Sequence, residues 1–93
     1  MIRAFADKRT QMVFAGENPK GFPSAILKVA RRKLKIVDAA VELNDLRAPP
    51  GNQLEALSAD RKGQHSIRIN DQWRVAFVWT PEGPIDVEVV DYH

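Results

Sequence analysis

Arg61, Lys62, Arg68, Arg74, Tyr92 and His93 have side chains suited to handling a phosphodiester. Arginine offers planar, permanently charged donors that match phosphate oxygens. Tyrosine can stack on a base and exchange a proton, and histidine titrates near neutrality. Together these groups suffice for metal-free cleavage of RNA. That reaction needs a base for the ribose 2′-OH, an acid for the departing 5′-oxygen and cations around the phosphorane charge. Spacing alone leaves this as one reading among several. His93 also reads as a frayed end, and Arg61 as a partner of Asp60 or a cap on a carbonyl.

Other chemistries fit less well. The two histidines, His65 and His93, are far apart and lack ligand spacing, so neither a metal nor another cofactor is expected. No glycine is followed by the Lys-Ser/Thr of a phosphate loop, and Ser24, Ser58 and Ser66 have no triad spacing. Cysteine is absent, which excludes disulfides, thiolate metal sites and cysteine nucleophiles. A chain of 93 residues fits one domain spanning 1–93. Lacking disulfide staples at this size, it is expected in a reducing, cytoplasmic setting. Met1 to Phe5 soon meets Asp7, Lys8 and Arg9, so no signal peptide is expected, and no apolar run suggests a membrane span. The net charge of +2 permits a polyanionic partner without demanding one.

The elements that would position these residues follow from periodicity. Ile2 to Phe5 reads as a short strand, and Asp7 as the N-cap of a helix running to about Ala15. Residues 16–21 break it. A second helix opens at Pro23 or Ser24, with Leu27, Ala30, Leu34, Val37 and Val41 on one face, widened by Ile26, Val29 and Ile36. Residues 43–52, with Pro49-Pro50-Gly51, are expected to be a loop and not helix. The period then becomes two. Strands are expected over 53–57, 63–69, 73–79 and 85–91, with turns at 70–72 and 81–84. Short turns imply an antiparallel meander, covered on its apolar face by the helices. In that arrangement Arg68 and Arg74 flank one turn on the non-core side, and Arg61 and Lys62 enter from the preceding loop.

Several of these residues also have structural readings. His65 alternates with Ile67 and Ile69 and reads as a buried, hydrogen-bonded histidine. Trp73 and Trp79 share a face with Val75 and Phe77, as core residues would. Lys28, Arg31, Arg32 and Lys35 repeat at helical spacing, which suits a solvated face or a contact with a partner or RNA.

Two blocks carry a family resemblance: residues 63–77, Gly-Gln-His-Ser-Ile-Arg-Ile-Asn-Asp-Gln-Trp-Arg-Val-Ala-Phe, and the closing Val89-Val90-Asp91-Tyr92-His93. With Met1 to Phe5, Ala39-Ala40 and Asp45-Leu46-Arg47, the chain resembles the HigB-type toxins of the RelE/ParE superfamily over essentially its whole length. The resemblance implies an α+β, RelE-like fold: a short N-terminal strand and two helices packed on a curved antiparallel sheet, in the order β-α-α-β-β-β-β. It implies a ribosome-dependent endoribonuclease that cuts messenger RNA and stops translation. It also implies a HigA-type helix-turn-helix antitoxin, with operator DNA met only through that antitoxin.

By the same resemblance, Asp91, Tyr92 and His93 match the family's terminal catalytic group, Arg74 its strand arginine, and Arg61 the arginine of its Gly-Asp-Arg turn. Lys62 and Arg68 join the RNA-binding set. The best-known branch has a histidine followed by Pro-Leu-Lys-Gly-Asp-Arg, where this chain has Glu55-Ala56-Leu57-Ser58-Ala59-Asp60-Arg61. Glu55 thus takes the histidine's place, as a general base or a spectator, and Ser58 replaces a cation. Two alternatives accompany the enzyme reading: a ParE-like binding module that acts on gyrase without cleaving RNA, and a weakened toxin serving mainly in autoregulation.

Overall fold

The computed structural model describes residues 1–91, so Tyr92 and His93 lie outside the described residues. Asp7 caps α1 (Lys8–Phe14): its carboxylate accepts from the Thr10 backbone N–H at 2.7 Å, satisfying a donor that has no partner within the helix. Gly16, at φ 94°, then closes the helix, where a residue with a Cβ would be strained. Helix α2 (Ser24–Ala39) buries Ile26, Leu27, Ala30, Leu34 and Val37, as the three-and-four spacing predicts. Val41 does not join them. The chain leaves the helix at Ala40 in an extended conformation, and Val41 is 84% exposed.

The sheet is an antiparallel meander in the order β1 (Glu55–Ala56), β2 (His65–Arg68), β3 (Trp73–Thr80), β4 (Gly83–Asp91). Alternation divides its residues cleanly. Ile67, Val75, Phe77, Val87 and Val89 face the helices in the main core, with Trp73 and Trp79 packed at its margin. A small cluster of Leu57, Ala76 and Val90 lies on the opposite face.

Other sequence expectations change too, and the strand expected over 63–69 keeps only His65–Arg68. The opening strand is reduced to an isolated parallel bridge, Phe5 to Val87, because only Val87 lends both its N–H and its carbonyl to the segment. Residues 43–52 contain two 3-10 turns, Leu43–Arg47 and Pro50–Asn52. Proline excludes a longer helix but suits the first position of a short one, and Glu42 and Asp45 form a capping box for the other. The strand expected over 53–57 keeps only Glu55–Ala56, since Gln53 sits at φ 46° and breaks the extended run. The last strand instead starts earlier, at Gly83. Among the described residues, no helix is long and apolar enough to cross a membrane.

Candidate active site

The register of the meander builds two rows across the face away from the helices. Glu55, Ser66, Ala76 and Glu88 are successive cross-strand neighbours. One pleat pair further along, Arg68 faces Arg74, which faces Val90. The position of Glu88 depends on an irregularity: between Ala76 and Val78 the pairing slips by one residue, with Asp86 at φ 52°.

Two arginines placed directly opposite each other repel, and such pairs are destabilising unless each charge is engaged. Here both are held by the hairpin. Arg68 pairs with Asp71, and Arg74 donates to the carbonyl of Asn70 and, at 3.1 Å, to that of Trp73. Asn70 in turn accepts from the backbone N–H groups of Gln72 and Trp73 at 2.9 and 2.8 Å, which shapes the turn. The two guanidinium groups are therefore anchored side by side on a half-buried surface.

Arg61 arrives from the loop between β1 and β2. Its Nη1 donates to Gln64 Oε1 at 3.0 Å and Glu88 Oε1 at 3.4 Å, so its acidic partner is Glu88, and Asp60, one of the alternatives read from the sequence, is not. A half-exposed ion pair of this kind contributes about 0–1 kcal/mol, little enough for a phosphate to compete with Glu88. Lys62 and Ser58 are exposed in the same loop, at either end of the 3-10 turn Ala59–Arg61.

Asp91 closes β4, one residue beyond the register partner of Arg74. Its register partner is Trp73, so it lies on the other pleat, and its Oδ2 accepts from Gln72 Nε2 at 2.9 Å. The described structure thus unites Arg68, Arg74, Arg61 and Glu55 on one face, with Asp91 on the other pleat at the end of β4. The expected roles of Tyr92 and His93 fall outside the described residues.

Glu88 and Ser66 were not singled out by sequence reasoning. Ser66 is fully buried beside Glu55, and its Oγ has no hydrogen-bond partner among the described residues. Period-two alternation places both on the arginine face. The slip at Asp86, however, hides which strand positions meet.

The reading of His65 as a hydrogen-bonded core residue is corrected. Its ring is half-buried and stacks on Phe77 at 6.5 Å between centroids, but Nδ1 is buried with no partner among the described residues. The ring lines a cleft of about 330 Å³, together with Leu43, Asn44, Arg47, Leu54, Glu55 and Ala56. The basic stripe of α2 borders a separate open groove of about 470 Å³. Within it Arg31 serves the fold, donating to the carbonyls of Val13 at 2.9 Å and Glu17 at 3.0 Å and so tying α1 to α2.

Comparison with known proteins now bears on this geometry. A family model described as the RelE-like toxin of type II toxin–antitoxin system HigB matches residues 3–93. "Toxin HigB-1" of Vibrio cholerae is 41% identical over 80 residues, covering 85% of this chain and 84% of that protein. "Endoribonuclease HigB" of Proteus vulgaris is 27% identical over 93 residues, the full length of both.

Proposed function

This chain belongs to the HigB-like family of RelE-like type II toxins, and from that premise we propose that it is an endoribonuclease that cuts messenger RNA on the ribosome. Membership of a type II system implies an antitoxin partner. In our reading that partner is a HigA-type helix-turn-helix protein, through which alone the toxin meets operator DNA. The endoribonuclease reading is supported by the name of the Proteus vulgaris relative, and the observation that carries it is the anchored Arg68–Arg74 pair.

In the proposed mechanism Arg74 and Arg68 hold the scissile phosphate, and Arg61 exchanges Glu88 for a phosphate oxygen. Lys62 and Ser58 contact the flanking backbone. Glu55 and His93 divide the proton transfers. One removes the 2′-OH proton so that the 2′-oxygen attacks phosphorus, and the other protonates the departing 5′-oxygen. The products are a 2′,3′-cyclic phosphate and a 5′-hydroxyl. Tyr92 stacks on a base beside the cut. Asp91 is a positioning residue, holding the end of β4 through Gln72.

The test is mapping of transcript ends after brief induction, with the wild type beside Arg74→Ala and a variant lacking Tyr92-His93. We expect cuts within translated codons, reduced by about 10²–10³-fold in Arg74→Ala and lost in the truncation. Intact cutting in both variants would overturn the assigned site. Unchanged transcripts with a DNA-damage response would overturn the enzyme reading in favour of a non-cleaving module.

A further inference from the structure

Ser66 lies in the middle of the arginine face and has no part in the proposed cleavage. Its side chain is fully buried, yet Oγ has no hydrogen-bond partner among the described residues. A buried hydroxyl left unpaired costs stability that an alanine methyl in its place would not. Such a group on a functional face points to a partner that arrives only when the site is occupied.

The register limits which side chain that partner can be. Ser66 pairs with Glu55 on one side and with Ala76 on the other. The Ala76 side chain belongs to the apolar cluster with Leu57 and Val90 and has no acceptor. Two positions away in either direction along the chain are Gln64 and Arg68. Gln64 Oε1 already accepts from Arg61, and the Arg68 guanidinium can only donate and is paired with Asp71. Glu55 differs, because its carboxylate is exposed and has two oxygens that accept. The Leu57 N–H donates to the Gln64 carbonyl at 2.9 Å, which fastens β1 to β2 and keeps Glu55 directly opposite Ser66. Residues so placed have Cβ atoms about 5 Å apart, a span that a glutamate folded across the strand pair can close.

We propose that Ser66 is a positioning residue for Glu55. When RNA covers the arginine face and excludes water, the Glu55 carboxylate turns inward over β2, and one of its oxygens accepts from Ser66 Oγ–H. The other oxygen is left for the proton that passes to or from the RNA, while the serine proton stays on Oγ. This bond replaces hydration that the carboxylate loses beneath the RNA, and it is stronger there than in water. It holds an exposed glutamate in one orientation beside the phosphate on Arg68 and Arg74, as proton transfer requires. The proposal rests on the endoribonuclease reading and adds to it the group that orients one of its two proton-transfer residues.

The test is single-turnover cutting of messenger RNA on purified ribosomes by wild type, Ser66→Ala, Glu55→Ala and the double variant. Urea unfolding of each free protein accompanies it. Ser66→Ala should lower the maximal rate about tenfold and leave the half-saturating concentration within about twofold. Its urea midpoint should equal or exceed that of the wild type, because the hydroxyl makes no bond in the free protein. In the Glu55→Ala background the serine should no longer matter, so the double variant should cut as fast as Glu55→Ala. Three results would overturn the positioning role alone: a Ser66→Ala rate equal to wild type, a lowered urea midpoint, or a tenfold loss that persists without Glu55. Glu55→Ala cutting at the wild-type rate would remove Glu55 from the mechanism and Ser66 with it. A wild type that makes no cuts would overturn the endoribonuclease reading itself.

Discussion

Lys33 lies on the buried face of α2, only 7% exposed, and its Nζ donates to Asn52 Oδ1 at 2.6 Å. Asn52 is fully buried and donates onward from Nδ2 to the carbonyls of Leu46 at 3.2 Å and Ala48 at 3.1 Å. One side chain thus ties α2 to the two 3-10 turns of residues 43–52. Asn52→Ala should cost about 3 kcal/mol in urea unfolding, because it leaves a buried ammonium and two carbonyls short of partners. Burial pushes the Lys33 ammonium below its ordinary 10.5, and repulsion from Arg32 and Arg68 adds to the shift. The folded protein therefore binds fewer protons at Lys33 than the unfolded chain between the lowered value and 10.5. Over that window stability contributed through Lys33 rises with pH. Wild type should gain on Lys33→Met as pH climbs toward 10.5, and a gap that narrows instead would contradict this.

Between elements, the junction of α1 with β4 depends on Thr10. Its buried Oγ1 accepts from the Val89 backbone N–H at 3.0 Å, joining residues 79 apart in sequence. Thr10→Val keeps the shape and removes the acceptor, so we expect a loss of about 2 kcal/mol in unfolding free energy. Asp7→Ala, which removes only the cap of the same helix, should cost about 1 kcal/mol. An equal cost for the two would mean that the β4 bond adds nothing beyond helix stability.

For the whole molecule, the net charge of +2 conceals two separated cationic surfaces, the arginine face of the sheet and the outer stripe of α2. If RNA runs along the sheet, the salt dependence of binding should report on one surface and not the other. For a 2′-O-methyl oligonucleotide, which the proposed chemistry cannot cleave, Arg68→Ala or Arg74→Ala should reduce the log–log salt slope by about 0.7. Lys28→Ala on α2 should leave it unchanged. The opposite ranking would move the RNA to the helix surface.

Much of this arrangement is legible from residues near one another in the chain. The Asp7 cap, the α2 stripe, the alternation that buries Val75 and Phe77, and the turn at Asn70 all follow from side-chain period and turn chemistry, and the meander follows from short turns. Two sequence blocks were enough to indicate the family. Arg68 and Arg74 could be paired across their turn for the same reason: only a few residues separate them. Tertiary structure alone decided the rest. The slip at Asp86 sets Glu88 against Ala76 and brings it to Arg61, 27 residues away. The 3-10 turn at 43–47 and the edge strand at 55–56 jointly wall the cleft that His65 lines. Local pattern encodes which face a residue takes. Which distant residue it meets depends on a single inserted position and on how separate turns pack.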